Sequence, residues 1–444
     1  MNKFFLTLLL TPLFAFALSI PNLQPIESLD EKKRGREFLQ LIWGTGIVIS
    51  DIETMTYLKK LGQEMVIYSE NPNKHFDFFF LKNDSINAFA GAYGYIGVHT
   101  GMLLSSDTEA ELAGVLAHEI SHVTQNHLVR YAKKASKNNY LMLAGVLAAA
   151  LVDNNKASEA IFSTTIAGVL QQGINFTREH EWEADRIGTA MLKKSGFNPQ
   201  GMANFFKKLK DDANAQEFLQ SHPLSINRIA DSLQRSARSG KGNRKDSFAY
   251  AVIKAKLYYQ DKHKIKPEKD QAITKYMQAY QAFEKEEYVK AKKYVDKLLA
   301  INGTKPSNIL AGRIASKMGN IKLSQQYFDK NRITEEDEAS LYYSAKAYLD
   351  NHQYHSGIAI LKPFLRINQG SYETYKLLAL LYVKQGSEGR SHIQSAKALV
   401  VQGELDKAIG HYERAKMLVG SQDLYDIITV KINELQQTID LFKP

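Results

Sequence analysis

The sequence predicts a mainly α chain, with one α+β domain carrying a small sheet in its first half and an α-solenoid of helical repeats in its second. Three observations lead there. Apolar stripes at helical spacing flank a short strand and a hairpin between residues 75 and 99. Two imidazoles, His118 and His122, stand one turn apart on a well-signalled helix. Beyond residue 267 a helix-turn-helix pattern returns every 33 residues, the period of tetratricopeptide-type arrays. At 444 residues the chain has room for more than one such unit.

Residues 1–19 read as a secretory signal peptide. Lys3 supplies the positive start, Phe4 to Ala17 the apolar run, and Ala15-Phe16-Ala17 or Ala17-Leu18-Ser19 the small-residue cleavage site. No cysteine follows it to carry a lipid, and the chain contains no cysteine at all, so a metal must be held by nitrogen and oxygen. The formal charge of +10, from 57 Lys+Arg against 47 Asp+Glu, does not point to nucleic acid, because export removes the chain from it. The positive charge concentrates between Arg235 and Lys245, where Gly and Ser mark a solvated linker; contact with anionic lipid headgroups is the other use of such a stretch.

After the leader, residues 31–62 read as helix, with Phe38, Leu39, Ile42, Leu58 and Leu61 as its apolar positions. His75 to Leu81 reads as a buried strand. Asn87-Ala88-Phe89-Ala90, the turn Gly91 to Gly94 and Tyr95 to His99 form a hairpin. A capping box at Ser106-Asp107-Thr108-Glu109 then opens a helix with Leu112, Val115, Leu116, Ile120 and Val123 on one face. Residues 138–175 form an apolar insert whose runs are too short to span a membrane; it suits packing helices or a flap over a cleft or membrane surface. The domains expected are 20–235 for the α+β unit, 236–266 for the basic linker and a connecting helix, and 267–444 for the repeats. Tyr288, Ile321 and Tyr354 mark equivalent helix starts, an extra helix is expected near Ser391 to Val401, and a last copy at Gly403 to Ala408.

The chemistry centres on His118-Glu119-Ile120-Ser121-His122. Residues i and i+4 share a helical face, so both rings can reach one zinc ion, with Glu119 beside it as general base. One protein ligand is missing. A third histidine in the HExxHxxGxxH manner requires Gly and His at positions 125 and 128, which are Gln125 and Leu128; His127 is one residue out of phase. Glu181 and Asp185 also share a helical face, so that one carboxylate can bind the ion while the other accepts an imidazole N–H. Glu183 points elsewhere on that helix.

These motifs, in their order, resemble the envelope-associated gluzincin metallopeptidases that include the CAAX-prenyl endopeptidases and HtpX-type proteases. The resemblance rests on Asn87-Ala88-Phe89-Ala90, His118-Glu119-x-x-His122 and Glu181-x-x-x-Asp185, and covers most of residues 30–235. It implies one Zn2+ per chain, Glu181 as third ligand, Asp185 behind a histidine, and His222 near the metal. Ser221-His222-Pro223-Leu224 and Arg228 are similar to a motif of the exported, repeat-bearing subgroup. The Asn87–Ala90 strand and Arg228 are expected to meet substrate, the strand by adding a peptide to its edge. Gly91-Ala92-Tyr93-Gly94 departs from the proline-glycine turn of relatives, which touches the shape of that edge. His222 has two expected roles, oxyanion stabiliser or resting ligand that closes the site. The implied activity is a periplasmic endopeptidase, peripheral to the outer membrane through its basic stretch, that removes misfolded or stalled outer-membrane proteins. Its repeats would dock on the outer-membrane β-barrel assembly machinery. The competing reading is a chaperone-like repeat adaptor with a mostly gated peptidase site.

Overall fold

A computed structural model describes residues 29–134, 178–210, 212–265, 269–330 and 337–441. The expected leader at 1–19 and the apolar insert at 138–175 lie outside them. The single helix expected over 31–62 is two helices, α1 (Leu29–Gly44) and α2 (Ile52–Val66). Gly46 ends the first with φ +71°, and Asp51 starts the second by accepting a 2.9 Å hydrogen bond from the Thr54 N–H. The segment between them bonds to the outer edge of strand β1 (Asp77–Leu81) through Ile49 N–H to the Phe80 carbonyl, at 2.9 Å. That edge is thereby covered.

Strands β2 (Ala88–Ala90) and β3 (Tyr95–His99) complete a sheet of order β1-β3-β2, with β1 parallel and β2 antiparallel to β3. The hairpin turn needs its last glycine. Gly94 sits at φ +78°, and a Cβ there would stand 1.9 Å from the His75 carbonyl oxygen. After α3 (Thr100–Ser105) comes the central helix α4 (Glu109–Thr124). Its capping box lies two residues beyond the expected one: the Thr108 hydroxyl accepts from Glu111 N–H, and the Glu111 carboxylate accepts from Asp107 N–H at 2.8 Å. Phe78, Phe80, Ile96 and Val98 of the sheet share one core with Leu112, Val115 and Leu116 of α4. That core also takes Met191 and Leu192 of α6 (Arg178–Lys194) and Phe205 and Phe206 of α7 (Gln200–Leu209). Short α5 (His127–Lys134) follows α4, and α8 (Gln216–Ser221) and α9 (Ile226–Ser239) close the unit.

The basic stretch is not simply a solvated linker. Arg244 lies 4.1 Å over the Phe197 ring and pairs with Glu64 at 2.9 Å, while Ser247 N–H donates to Glu109. Composition hides this because an arginine can cover an aromatic face while its charge stays solvated. Helix α10 (Phe248–Lys262) then serves two cores: Tyr250, Ile253 and Leu257 enter the first unit's, Val252 and Ala255 the first repeat's.

The repeat helices begin at Tyr288, Ile321 and Tyr354 as the spacing predicts. The helix expected as an extra one, Glu388–Val401, keeps the repeat and starts 34 residues after Tyr354. Leu405–Leu418, expected as a copy of those second helices, instead opens a further pair with Gln422–Leu441. The cause lies in the turns. Glu286, Gly319, His352, Gly386 and Gly403 all adopt left-handed φ, so the turn signal recurs whether it starts a pair or joins one.

The solenoid folds back onto α1 and α2. Ile52 packs with Ile309, Phe328 and Tyr343, and the Trp43 ring lies 5.4 Å from that of Tyr372. Between them Lys256, only 1% exposed, reaches Asp51 at 3.1 Å and Glu53 at 3.0 Å. Burial alone would raise the Asp51 carboxyl, but the Lys256 ammonium and the Thr54 donors carry it from 3.8 down to about 2. Its stabilising contribution is therefore present above about pH 4 and fades as pH falls toward 2. Lys256→Ala removes the ammonium shared by these two carboxylates, leaving Asp51 the Thr54 donors and Glu53 only Arg313 at 3.7 Å, and should cost about 3–5 kcal/mol in urea unfolding. A loss below about 1 kcal/mol would show the ion cluster to be incidental to the junction.

Candidate metal centre

Helix α4 presents His118, Glu119 and His122 to one buried point, and α6 brings Glu181 and Asp185 to the same point from the opposite side. The two helices approach closely because Gly188 of α6 lies on the α4 backbone: a Cβ there would be 3.2 Å from His118 N. The turn after α8 contributes His222. One ligand atom from each of His118, His122, Glu181 and His222 lies within 4.8 Å of the others, and all four residues are buried. His118 Nε2 stands 3.0 Å from His122 Nε2, 3.4 Å from Glu181 Oε2 and 3.3 Å from His222 Nδ1. His122 Nε2 is 3.3 Å from Glu181 Oε1.

These donors fit a metal ion. Ligands about 2.0 to 2.1 Å from a zinc ion and tetrahedrally disposed lie roughly 3.3 Å apart, which is the spacing among these nitrogens and oxygens. Both oxygens of Glu119 are buried, with the Ala90 N–H directed at the carboxylate and His222 Nε2 3.5 Å from Oε1. Burial pushes the Glu119 carboxyl up, against the pull of His222 and His118. Burial would lower His118, but the Asp185 and Glu181 carboxylates raise it to about 10, while burial carries His122 well below the ordinary range.

Asp185 stands behind His118, its Oδ1 3.0 Å from Nδ1, leaving Nε2 free to face the cluster. The structure reassigns Arg228, which was expected to meet substrate. It is 2% exposed, and its Nε and Nη2 donate to Asp185 at 2.8 and 2.9 Å. Its Nη1 donates to the Pro223 carbonyl at 2.8 Å and lies 2.7 Å from Glu181 Oε2. Arg228 thus ties the His222-Pro223 turn to both carboxylates. Its sequence signal was misleading because its Asp185 partner lies 43 residues away.

The expected substrate edge is narrower than the four-residue motif. His99 N–H bonds to the Asn87 carbonyl and Gly91 N–H to that of Tyr95, so Ala88 and Ala90 direct their backbone groups away from β3. Ala88 is wholly buried and Ala90 is partly exposed, with its N–H toward Glu119. Asn87 instead reaches Glu217 at 3.4 Å, and Phe89 enters the core of α1. His127 and Glu183, the other ligand candidates, are outside the four-donor cluster: His127 Nδ1 lies 2.9 Å from His122 Nδ1, on the ring edge away from it.

Asp185→Asn should weaken metal affinity or activity by roughly 10- to 100-fold, the usual effect of losing a group that orients a ligand histidine. A loss as complete as that of His118→Ala would place Asp185 on the ion itself.

The helical domain with its small sheet and its HExxH donor cluster is that of a metallopeptidase: residues 53–236 match Peptidase family M48, and the chain belongs to that family. It is 30% identical to the Beta-barrel assembly-enhancing protease of Yersinia pestis over 93% of this chain and 90% of that protein. It is likewise 30% identical to the Beta-barrel assembly-enhancing protease of Escherichia coli strain K12, over 93% and 89%. Metalloprotease LoiP of the same strain is 28% identical over 35% of this chain and 60% of its own length. The protein is a metalloprotease with a helical-repeat half, and no described helix is long and apolar enough to cross a membrane.

Proposed function

We propose that this chain is an exported zinc endopeptidase of the periplasm, holding one Zn2+ on His118, His122 and Glu181 and removing misassembled outer-membrane proteins, with its repeats docked on the β-barrel assembly machinery. The observation that carries the chemistry is Glu119, a buried carboxylate beside four clustered metal donors. A bound ion supplies Lewis acidity, polarising the scissile carbonyl and acidifying water. Glu119 accepts the proton from the attacking water and delivers it to the leaving amine, a role suited to a carboxyl whose affinity for protons burial has raised. Asp185 and Arg228 hold His118 and Glu181 in place, and Ala90 offers backbone groups that align an extended peptide. The names of the relatives support the client class.

His222 gives the second reading its support. With its ring among the donors, the site also suits a gated peptidase whose repeats act as an adaptor. The test is incubation of the full chain with an unassembled outer-membrane β-barrel protein. Cleavage that a chelator abolishes and zinc restores is expected. Stable binding without cleavage at any zinc level would favour the adaptor.

A further inference from the structure

His118 has a carboxylate behind it. Behind His122 the described partner is different: its Nδ1 faces another imidazole nitrogen, His127 Nδ1, at 2.9 Å. One proton must lie between two ring nitrogens at that distance, since two lone pairs would repel and two N–H groups would clash. The opposite end of the His127 ring decides which nitrogen carries it. His127 Nε2 lies 3.0 Å from Glu183 Oε2, an acceptor when ionised, and Arg130 Nη1 donates to the same oxygen at 3.0 Å. Nε2 of His127 therefore bears hydrogen, its Nδ1 is a lone pair, and the shared proton belongs to Nδ1 of His122. His122 is left with a bare Nε2, the atom that stands among the metal donors.

We propose that His127 and Glu183 are positioning residues for the metal centre: a two-step relay, from Glu183 through His127, that fixes His122 in the tautomer able to bind zinc. The proposal rests on the zinc-site reading above.

The backbone is built to place this ring. Asn126 adopts φ +53° directly after the last turn of α4, a conformation asparagine tolerates better than most residues, and so starts α5 at His127. Lys74 Nζ holds that bend, donating to Asn126 Oδ1 at 2.6 Å and to the Val123 carbonyl at 3.1 Å. His127 is fully buried, with its ring stacked 4.3 Å from that of His180. His127 is one residue out of phase with the face that carries His118 and His122. A partner for the back of the His122 ring must be out of phase with its metal-binding front.

The test is zinc affinity of the full chain by chelator competition, with helix content and melting temperature measured alongside. His127→Leu should weaken zinc binding by roughly 10- to 100-fold, the usual effect of removing a partner of a ligand histidine. His127→Asn should recover most of that loss, because its side-chain carbonyl can accept the His122 Nδ1–H. Glu183→Ala should give a smaller loss, since His127 is then free to change tautomer. Undiminished affinity in His127→Leu would overturn the relay, as would an equal loss in a folded His127→Asn protein, which would mark the ring as packing only. If His127→Leu fails to fold, the partly exposed Glu183 decides: Glu183→Ala with wild-type affinity overturns the relay. A wild-type chain that binds no zinc overturns the zinc reading and the relay together.

Discussion

Glu119→Gln should keep the metal and lose at least roughly 10²- to 10⁴-fold in peptide cleavage, the range removed with a general acid–base group. The substitution preserves size at a position with no exposed surface and leaves His118, His122 and Glu181 untouched. What it removes is the capacity to accept a proton, because an amide oxygen is far less basic than a carboxylate. Single-turnover cleavage of an unfolded protein, with zinc content assayed in the same sample, separates this from metal loss. Retained turnover at full zinc content would move the base elsewhere, with His222, 3.5 Å from Glu119, as a candidate.

His222→Ala should raise proteolysis, including self-cleavage, and the sign of that effect separates its two roles. Its Nδ1 lies 3.3 Å from His118 Nε2 and 3.1 Å from Glu181 Oε1, a spacing that suits a fourth ligand closing a tetrahedral site. The ring is held from behind by Phe218, whose centroid is 4.7 Å away, and the turn by Arg228. A closing ligand blocks water, so its removal opens the site. An oxyanion donor acts only in the transition state, and its removal should cost roughly 10²- to 10³-fold. Slower cleavage by His222→Ala protein at unchanged zinc content and fold would therefore reject the lock.

Much of this was legible in the chain because it is local. The His118–His122 and Glu181–Asp185 pairs are consequences of helical periodicity, and the 33-residue marks are helix starts. Arg228 was not legible for the opposite reason: its contacts with Asp185 and Glu181 are made only by folding, as is that of His127 with Glu183. Asn126 was the available signal for His127, since asparagine favours the left-handed position that ends a helix. Helix α10 carried a signal too. Tyr250, Val252, Ile253 and Leu257 are apolar on more than one face, as a helix buried between two units requires. The break between α1 and α2 was marked by Gly44-Thr45-Gly46 and by Asp51, but an apolar pattern continuing on both sides concealed it.

The zinc content of purified Glu181→Ala protein, measured beside wild type, tests the central claim most directly. One zinc ion per wild-type chain and little or none in Glu181→Ala is the expected result, since the substitution removes the one carboxylate among the clustered donors. Full zinc occupancy in a folded Glu181→Ala chain would contradict the site as built from His118, His122 and Glu181.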